Sequence, residues 1–377
     1  MDSYHICSNC VMDTSDSKIS FDDQGVCDHC NDFIRNTQPN WHPNAIGRPE
    51  LERTADVIRK AGKGKEYDCI LGLSGGIDSS YMLHFVVREL ALRPLVFHVD
   101  AGWNSELAVH NIEVLVDKLG LHLFTEVINW EEMRDFQLAF FKSGLPNIDI
   151  PQDHAFVAVL YNFAEKYGIK HILNGGNIAT EGIRNPLEWL YYGTDMALLR
   201  DVQRKFGTMP LKDYPLSSVL RHKFYLRYIR SVRVVKPLNN IPYNKQLAME
   251  TLGREYGWRP YARKHDESRF TKFYEGYWLP ERFGYDTRRV QFSSLIVSGQ
   301  MTRAQALEEL KKPSYDPATI DDDFKYIATK LGITPDELRV YFQLPKKTHR
   351  DFRNQEWLFR LGAKVLRAVG AEKSIKR

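Results

Sequence analysis

The chain predicts an α/β fold: a parallel sheet of about five strands with flanking helices, preceded by a small cysteine-rich module and followed by a helical domain. Three observations predict it. From Tyr67 onward, short apolar runs alternate with longer amphipathic segments; four of the five cysteines fall in the first thirty residues; and beyond Tyr261 strand signals give way to helix-start signals. A length of 377 residues accommodates two or three domains, expected at residues 1–38, 50–260 and 261–377.

The expected strands are YDCILGL (67–73), LVFHV (95–99), LHLFTEV (121–127), HILN (171–174) and SVRVV (231–235). Compact apolar runs alternating with helices are the pattern of a parallel sheet covered on both faces. Helices are expected over 79–92, 105–119, 153–167 and 244–256, and the Pro- and Asn-rich stretch 38–49 reads as a linker. In the last third, Thr302 with Gln305, and Thr334 with Glu337, have the spacing of capping boxes.

Lys+Arg 52 against Asp+Glu 48 is nearly balanced, so nucleic-acid binding is permitted but not indicated. The basic excess gathers at the C-terminal end, from Lys346 through Lys373, Lys376 and Arg377, and reads as a solvated helix and tail. The start, MDSYHICSNC, lacks the basic and apolar regions of a signal peptide, and no later run is apolar enough to insert into a membrane, so a cytoplasmic location is expected.

The chemistry-bearing motif is LGLSGGIDSS, Leu71 to Ser80, lying between the first strand and a helix. Gly75 and Gly76 let the backbone approach an anion, the following helix start adds partial positive charge, and Ser74, Ser79 and Ser80 can donate to phosphate oxygens. No lysine stands where a Walker loop carries one. Asp78 occupies the turn instead, suited to holding Mg2+ or bracing the loop. NGGN, at Asn174 to Asn177, is a second glycine turn after a strand, with Glu181 nearby as a magnesium candidate. Lys245 opens a helix where its charge opposes the dipole, which favours a phosphate partner. Cys7, Cys10, Cys27 and Cys30 form two CxxC pairs with the spacing of a structural Zn2+ site, an iron-sulfur cluster being the alternative. Cys69 lies within the first strand and is expected in the core.

SGGIDSS after a first strand resembles the ATP-pyrophosphatase superfamily, also described as adenine nucleotide alpha hydrolase-like. The resemblance implies that the loop holds the pyrophosphate part of ATP, that Val99 and Asp100 at the second strand end meet the adenosine half, and that Lys245 stabilises the phosphates in the transition state. A strand-end carboxylate capping the next helix is the competing use of Asp100. With the CxxC pairs, NGGNIATEG, WLYYGTD and FGYDTRR added, the chain resembles the N-acetyl sugar amidotransferases of surface-polysaccharide and lipopolysaccharide biosynthesis. That implies an acetamido group on a nucleotide-linked sugar, activated by ATP and converted to an acetamidino group. The sequence has no glutaminase domain, so ammonia is expected from a separate glutaminase subunit, commonly with a cyclase-like companion. Trp189, Tyr191, Tyr192 and Asp195 could contact the sugar, and Arg282, Arg288 and Arg289 its diphosphate, with ordinary packing as the competing use; His154 could move a proton or be a surface residue. A tRNA-modifying adenylating enzyme is the second reading, and a nucleotide-binding protein without turnover the third.

Overall fold

The computed structural model describes residues 4–368, so Lys373, Lys376, Arg377 and the outer ends of the first and last expected domains lie outside the described residues. At the centre are β1 (Cys69–Gly72), β2 (Pro94–Asp100), β3 (Leu123–Val127), β4 (His171–Leu173) and β5 (Arg233–Val235). They form one sheet in the order β3-β2-β1-β4-β5, every pair parallel. The chain moves outward from β1 to β3, then returns to the other side of β1 for β4 and β5. The connections after β1 and β4 therefore diverge, and a crevice opens at the carboxyl ends of these two neighbours.

The pleat divides the sheet between two cores. Ile70, Leu95 and Ile172, paired across the register, face one core, and Leu71, Val96 and Leu173 face the other. The first face is covered by Trp130–Ser143, Ile150–Lys166 and Met196–Phe206, and the second by Gly47–Ala61, Ile77–Arg88, Glu106–Leu119 and Lys245–Tyr256. All five expected strands are present. The four expected helices are Ile77–Arg88, Glu106–Leu119, Ile150–Lys166 and Lys245–Tyr256. The supposed linker is shorter than expected: Gln38–Asn40 is a turn of 3-10 helix, and Gly47–Ala61 begins inside the stretch, with Pro49 in the first turn where its missing N–H breaks no helical bond.

Beyond Tyr261 the named elements among the described residues are all helices, and both capping boxes are formed at Thr302–Gln305 and Thr334–Glu337. Phe270, Phe273, Trp278 and Leu331 join the same core as Ile70 and Ile172, so the C-terminal helices are built onto the sheet. No helix among the described residues is long and apolar enough to cross a membrane.

Candidate active site and metal centre

β1 ends at Gly72, and after Leu73 the loop Ser74–Gly75–Gly76 leads straight into Ile77–Arg88. Gly75 has φ +84°, and a Cβ there would lie 2.8 Å from the Ala108 carbonyl oxygen, so only glycine fits. Its own carbonyl is drawn outward by the Trp258 indole N–H and the Tyr261 hydroxyl, each donating at 3.1 Å. On the inner side the Ser74 amide donates to Ser79 Oγ at 3.3 Å and the Gly76 amide to Ser74 Oγ at 3.2 Å. Hydroxyls thus occupy acceptor positions that oxygens of a bound anion would take over.

The turn after β4 comes within backbone contact of this loop. A Cβ on Gly175 would meet the Asp78 carbonyl group and the Ser79 nitrogen, each at 3.2 Å. Asn177 ties the turns together: its Nδ2 donates to Asp78 Oδ1 and to the Gly175 carbonyl, both at 3.1 Å, while its Oδ1 accepts the Thr180 amide at 2.9 Å. The Tyr243 hydroxyl donates to the same Asp78 oxygen at 2.7 Å. Burial and the Asp78 charge push the Tyr243 pKa up, so it stays a donor.

Between the turns lies a lobe of about 390 Å³ bordered by Ser74, Gly76, Asp78, Ser79, Gly175, Gly176, Glu181 and Lys245. A second lobe of about 250 Å³ shares Asp78, Lys245 and Lys264 with it. The structure therefore brings most of the expected residues to one place. Ser80 is separate: it is fully buried in the helix interior, with no hydrogen-bond partner for its hydroxyl. Val99 and Asp100 also stand outside the walls of both lobes. Asp100 Oδ1 accepts the Gly102 amide at 2.7 Å and Asn104 Nδ2 at 3.2 Å. The turn they begin is crossed by the chain near Glu267, where the Ser105 amide donates to the Glu267 carbonyl and the Arg269 amide to the Trp103 carbonyl.

That crossing segment contributes residues the sequence did not single out. Lys264 Nζ meets Glu181 Oε1 at 2.9 Å. Burial works against both charges, but each is stabilised by the other: Lys264 is held above its ordinary value and Glu181 below its own. Lys245 is lowered by burial, with the Asp78 charge pulling it back. His265, at φ +69°, places Nδ1 2.9 Å from Glu275 Oε2. Burial opposes its protonation, but Glu275 dominates and raises it to about 9. The signal available was RKHDE, a mixed-charge run with no periodicity, which reads as an exposed loop.

The expected sugar-contacting residues serve the fold. Trp189 is buried beside the cysteines, the Tyr191 hydroxyl donates to Asp195 Oδ2 at 2.7 Å, Asp195 caps Met196–Phe206, and Tyr192 stacks on Phe359. Arg282 donates to the Tyr341 and Leu344 carbonyls, and Arg289 pairs with Asp13 at 3.0 Å. Arg288 pairs with Asp286 at 2.7 Å but also lines the second lobe. His154 is buried, not superficial: Nδ1 faces the Gly193 carbonyl and Nε2 accepts the Ser217 amide, fixing a neutral ring. Cys69 is fully buried, and burial raises its thiol pKa.

Cys7, Cys10, Cys27 and Cys30 are all buried, with their sulfurs within 4.8 Å of one another. Amides of Asn9, Cys10 and Cys27 point at Cys7 Sγ at 3.2 to 3.4 Å, and Asn9 Nδ2 donates to Cys30 Sγ at 3.3 Å. Such donors favour thiolates, so the cluster can hold a metal with no place left for water. Arg303 Nε donates to the Cys7 and Cys10 carbonyls at 3.0 Å each, fastening the module to the C-terminal helices.

Residues 267–366 match the family model described as LPS biosynthesis protein WbpG-like, C-terminal domain. The matched stretch supplies Lys272, Glu275, Arg288, Phe292 and Lys312 to the second lobe, which shares Asp78 and Lys245 with the lobe at the glycine loop. A search of curated proteins finds no match. Solved structures similar to the chain include NMN synthetase from Francisella tularensis, 16% identical, covering 70% of this chain and 91% of that one with a TM-score of 0.36. The NH3-dependent NAD synthetase from Campylobacter jejuni in complex with nitrate is 15% identical, covering 80% and 98%, with a TM-score of 0.29. The U34-tRNA thiolase NcsA from Methanococcus maripaludis with its [4Fe-4S] cluster is 14% identical, covering 88% and 89%, with a TM-score of 0.32.

Three outcomes follow from this geometry. Gly75→Ala forces both a left-handed alanine and a clash, costing about 1–3 kcal/mol in chemical denaturation. Cys27→Ser loses bound metal by elemental analysis and lowers the unfolding midpoint. His265 titrates near 6.5 when unfolded and about 9 when folded, so its pairing stabilises fully below 6.5 and is lost as pH rises through 9. His265→Gln flattens that part of the stability profile; an unchanged profile contradicts the pairing.

Proposed function

We propose that the protein is an ATP-dependent N-acetyl sugar amidotransferase, a carbon-nitrogen ligase that forms AMP and pyrophosphate. The observation that carries this reading is one continuous cleft: a lysine-free glycine loop of the pyrophosphate-binding type at one end, and a wall of the WbpG-like lipopolysaccharide-biosynthesis domain at the other. ATP phosphates lie between the Ser74–Ser79 loop and the Gly175–Gly176 turn. The nucleotide-linked sugar enters the second lobe, where Lys272, Arg288 and Lys312 supply positive charge and Phe292 an apolar face.

An acetamido carbonyl is a poor electrophile. Its oxygen attacks the α-phosphorus, the bond to pyrophosphate breaks, and the O-adenylated carbon accepts ammonia. AMP then leaves with the former carbonyl oxygen, and loss of a proton gives the acetamidino group. Lys245 and Lys264 stabilise charge building on the phosphates, as preorganised donors do in a site shielded from water. Asp78 and Glu181 line the same lobe and are the carboxylates placed to hold Mg2+, which would neutralise phosphate charge there. Ammonia comes from a separate glutaminase, with a cyclase-like subunit as its companion.

At the cysteine cluster we propose structural Zn2+. A tetrahedral zinc with Zn–S bonds of about 2.3 Å separates its sulfurs by roughly 3.8 Å. Cys10 and Cys27 sulfurs are 3.7 Å apart, a spacing that suits one ion better than a four-iron cluster. Sulfur transfer to tRNA has no support from the thiols, since four are gathered in this cluster and Cys69 faces the core.

Purified protein given ATP, ammonium and an acetamido nucleotide sugar should form AMP, pyrophosphate and amidine. Lys245→Ala and Asp78→Ala should each reduce turnover by about 10²- to 10³-fold while retaining the fold by circular dichroism and the bound metal. Wild-type rates in either variant remove that residue from the mechanism. ATP consumption with tRNA but not with the sugar overturns the reading.

A further inference from the structure

Among the described residues three carboxylates line the phosphate lobe, and the third, Glu267, has no part in the chemistry above. It is the first residue of the stretch that matches the WbpG-like model. Its backbone is pinned across the end of β2: its carbonyl accepts the Ser105 amide at 2.9 Å, Ser268 bridges to Asn104, and the Arg269 amide donates to the Trp103 carbonyl at 2.8 Å. From this fixed position the side chain reaches the glycine loop. A Cβ on Gly76 would lie 2.7 Å from Glu267 Oε1, 3.1 Å from its Cδ and 3.3 Å from Ser74 Oγ. The carboxylate therefore stands against the backbone of the loop itself, both residues border the lobe, and glycine at position 76 leaves the room it needs.

The other two carboxylates are tied down. Asp78 accepts from Asn177 and Tyr243, and Glu181 pairs with Lys264. Among the described residues the Glu267 carboxylate has neither a hydrogen-bond nor an ion-pair partner, and the Lys245 ammonium, on the same lobe, has none either. An ionised carboxylate and a phosphate oxygen are both acceptors, so neither donates to the other, and their charges repel at contact distance. Mg2+ reverses that sign, because it takes oxygen ligands and keeps water molecules whose hydrogens a carboxylate accepts. A lysine attracts polyphosphate with or without the metal, whereas a carboxylate at the loop tells the two forms apart.

We propose that Glu267 makes nucleotide binding selective for the magnesium complex: its carboxylate disfavours bare triphosphate on the loop and favours the same phosphates when they carry Mg2+. This rests on the reading of the loop as the site of the ATP phosphates. Lys245 supplies attraction, and Glu267 supplies the condition under which attraction prevails.

The full chain titrated calorimetrically with α,β-methylene ATP, which cannot release pyrophosphate, should bind more tightly in magnesium chloride than in EDTA. Glu267→Gln should tighten binding in EDTA about tenfold or more and leave binding in magnesium unchanged or weaker, so the gain from Mg2+ shrinks. Glu267→Ala should behave alike, since the backbone contacts that pin the segment do not use the side chain. Both variants should match wild type by circular dichroism and in the metal content of the cysteine cluster. Unaltered binding in EDTA, equal tightening in both conditions, or equal weakening in both overturns the proposal: the residue is then a spectator, a plain competing anion or a structural prop. No binding in any sample refutes the phosphate-loop reading and the proposal with it. The titration needs no sugar, so a protein that shows the shift but makes no amidine refutes the amidotransferase reading alone.

Discussion

The cleft depends on how closely two backbone turns approach. Gly175 sits where any side chain would press on the Asp78 carbonyl and the Ser79 amide at 3.2 Å, and Gly75 turns its carbonyl away toward Trp258 and Tyr261. The close pass at Gly175 brings the turn after β4 against the helix start after β1, at the place where the connections diverge. Asn177 and Tyr243 then fix Asp78 from two sides. Without these contacts the crevice would still exist, but its donors would not converge.

Around that junction charge is arranged in pairs. Lys264 with Glu181 and His265 with Glu275 carry partners into a region where unpaired charge would be costly. Lys264 and His265 come from the segment laid across the end of β2; Glu181 follows β4, and Glu275 lies in the stretch that matches the WbpG-like model, so the sheet and that stretch meet at these pairs. Arg303 and Arg289 fasten the cysteine module to the C-terminal helices.

Much of this was legible in the sequence because the signals were local. The five strands, the glycine loop, the second glycine turn, the capping boxes and the CxxC pairs each declare themselves within a few residues. Lys264 and His265 did not, because a mixed-charge run acquires meaning only when a long-range crossing brings it over the cleft. The same limit explains Tyr191 and Asp195, which suggest ligand contacts as a motif but satisfy each other in the fold. Asp100 turned to its own loop for the equally local reason that the Gly102 amide lies two residues away.

The central claim is that ATP activates the acetamido oxygen by adenylation. A nucleotide sugar carrying 18O in that carbonyl tests it directly, with the products followed by mass spectrometry after turnover with ammonium. The account predicts that the label leaves with AMP. Label found in inorganic phosphate with ADP as co-product, or label retained in the sugar, would contradict it.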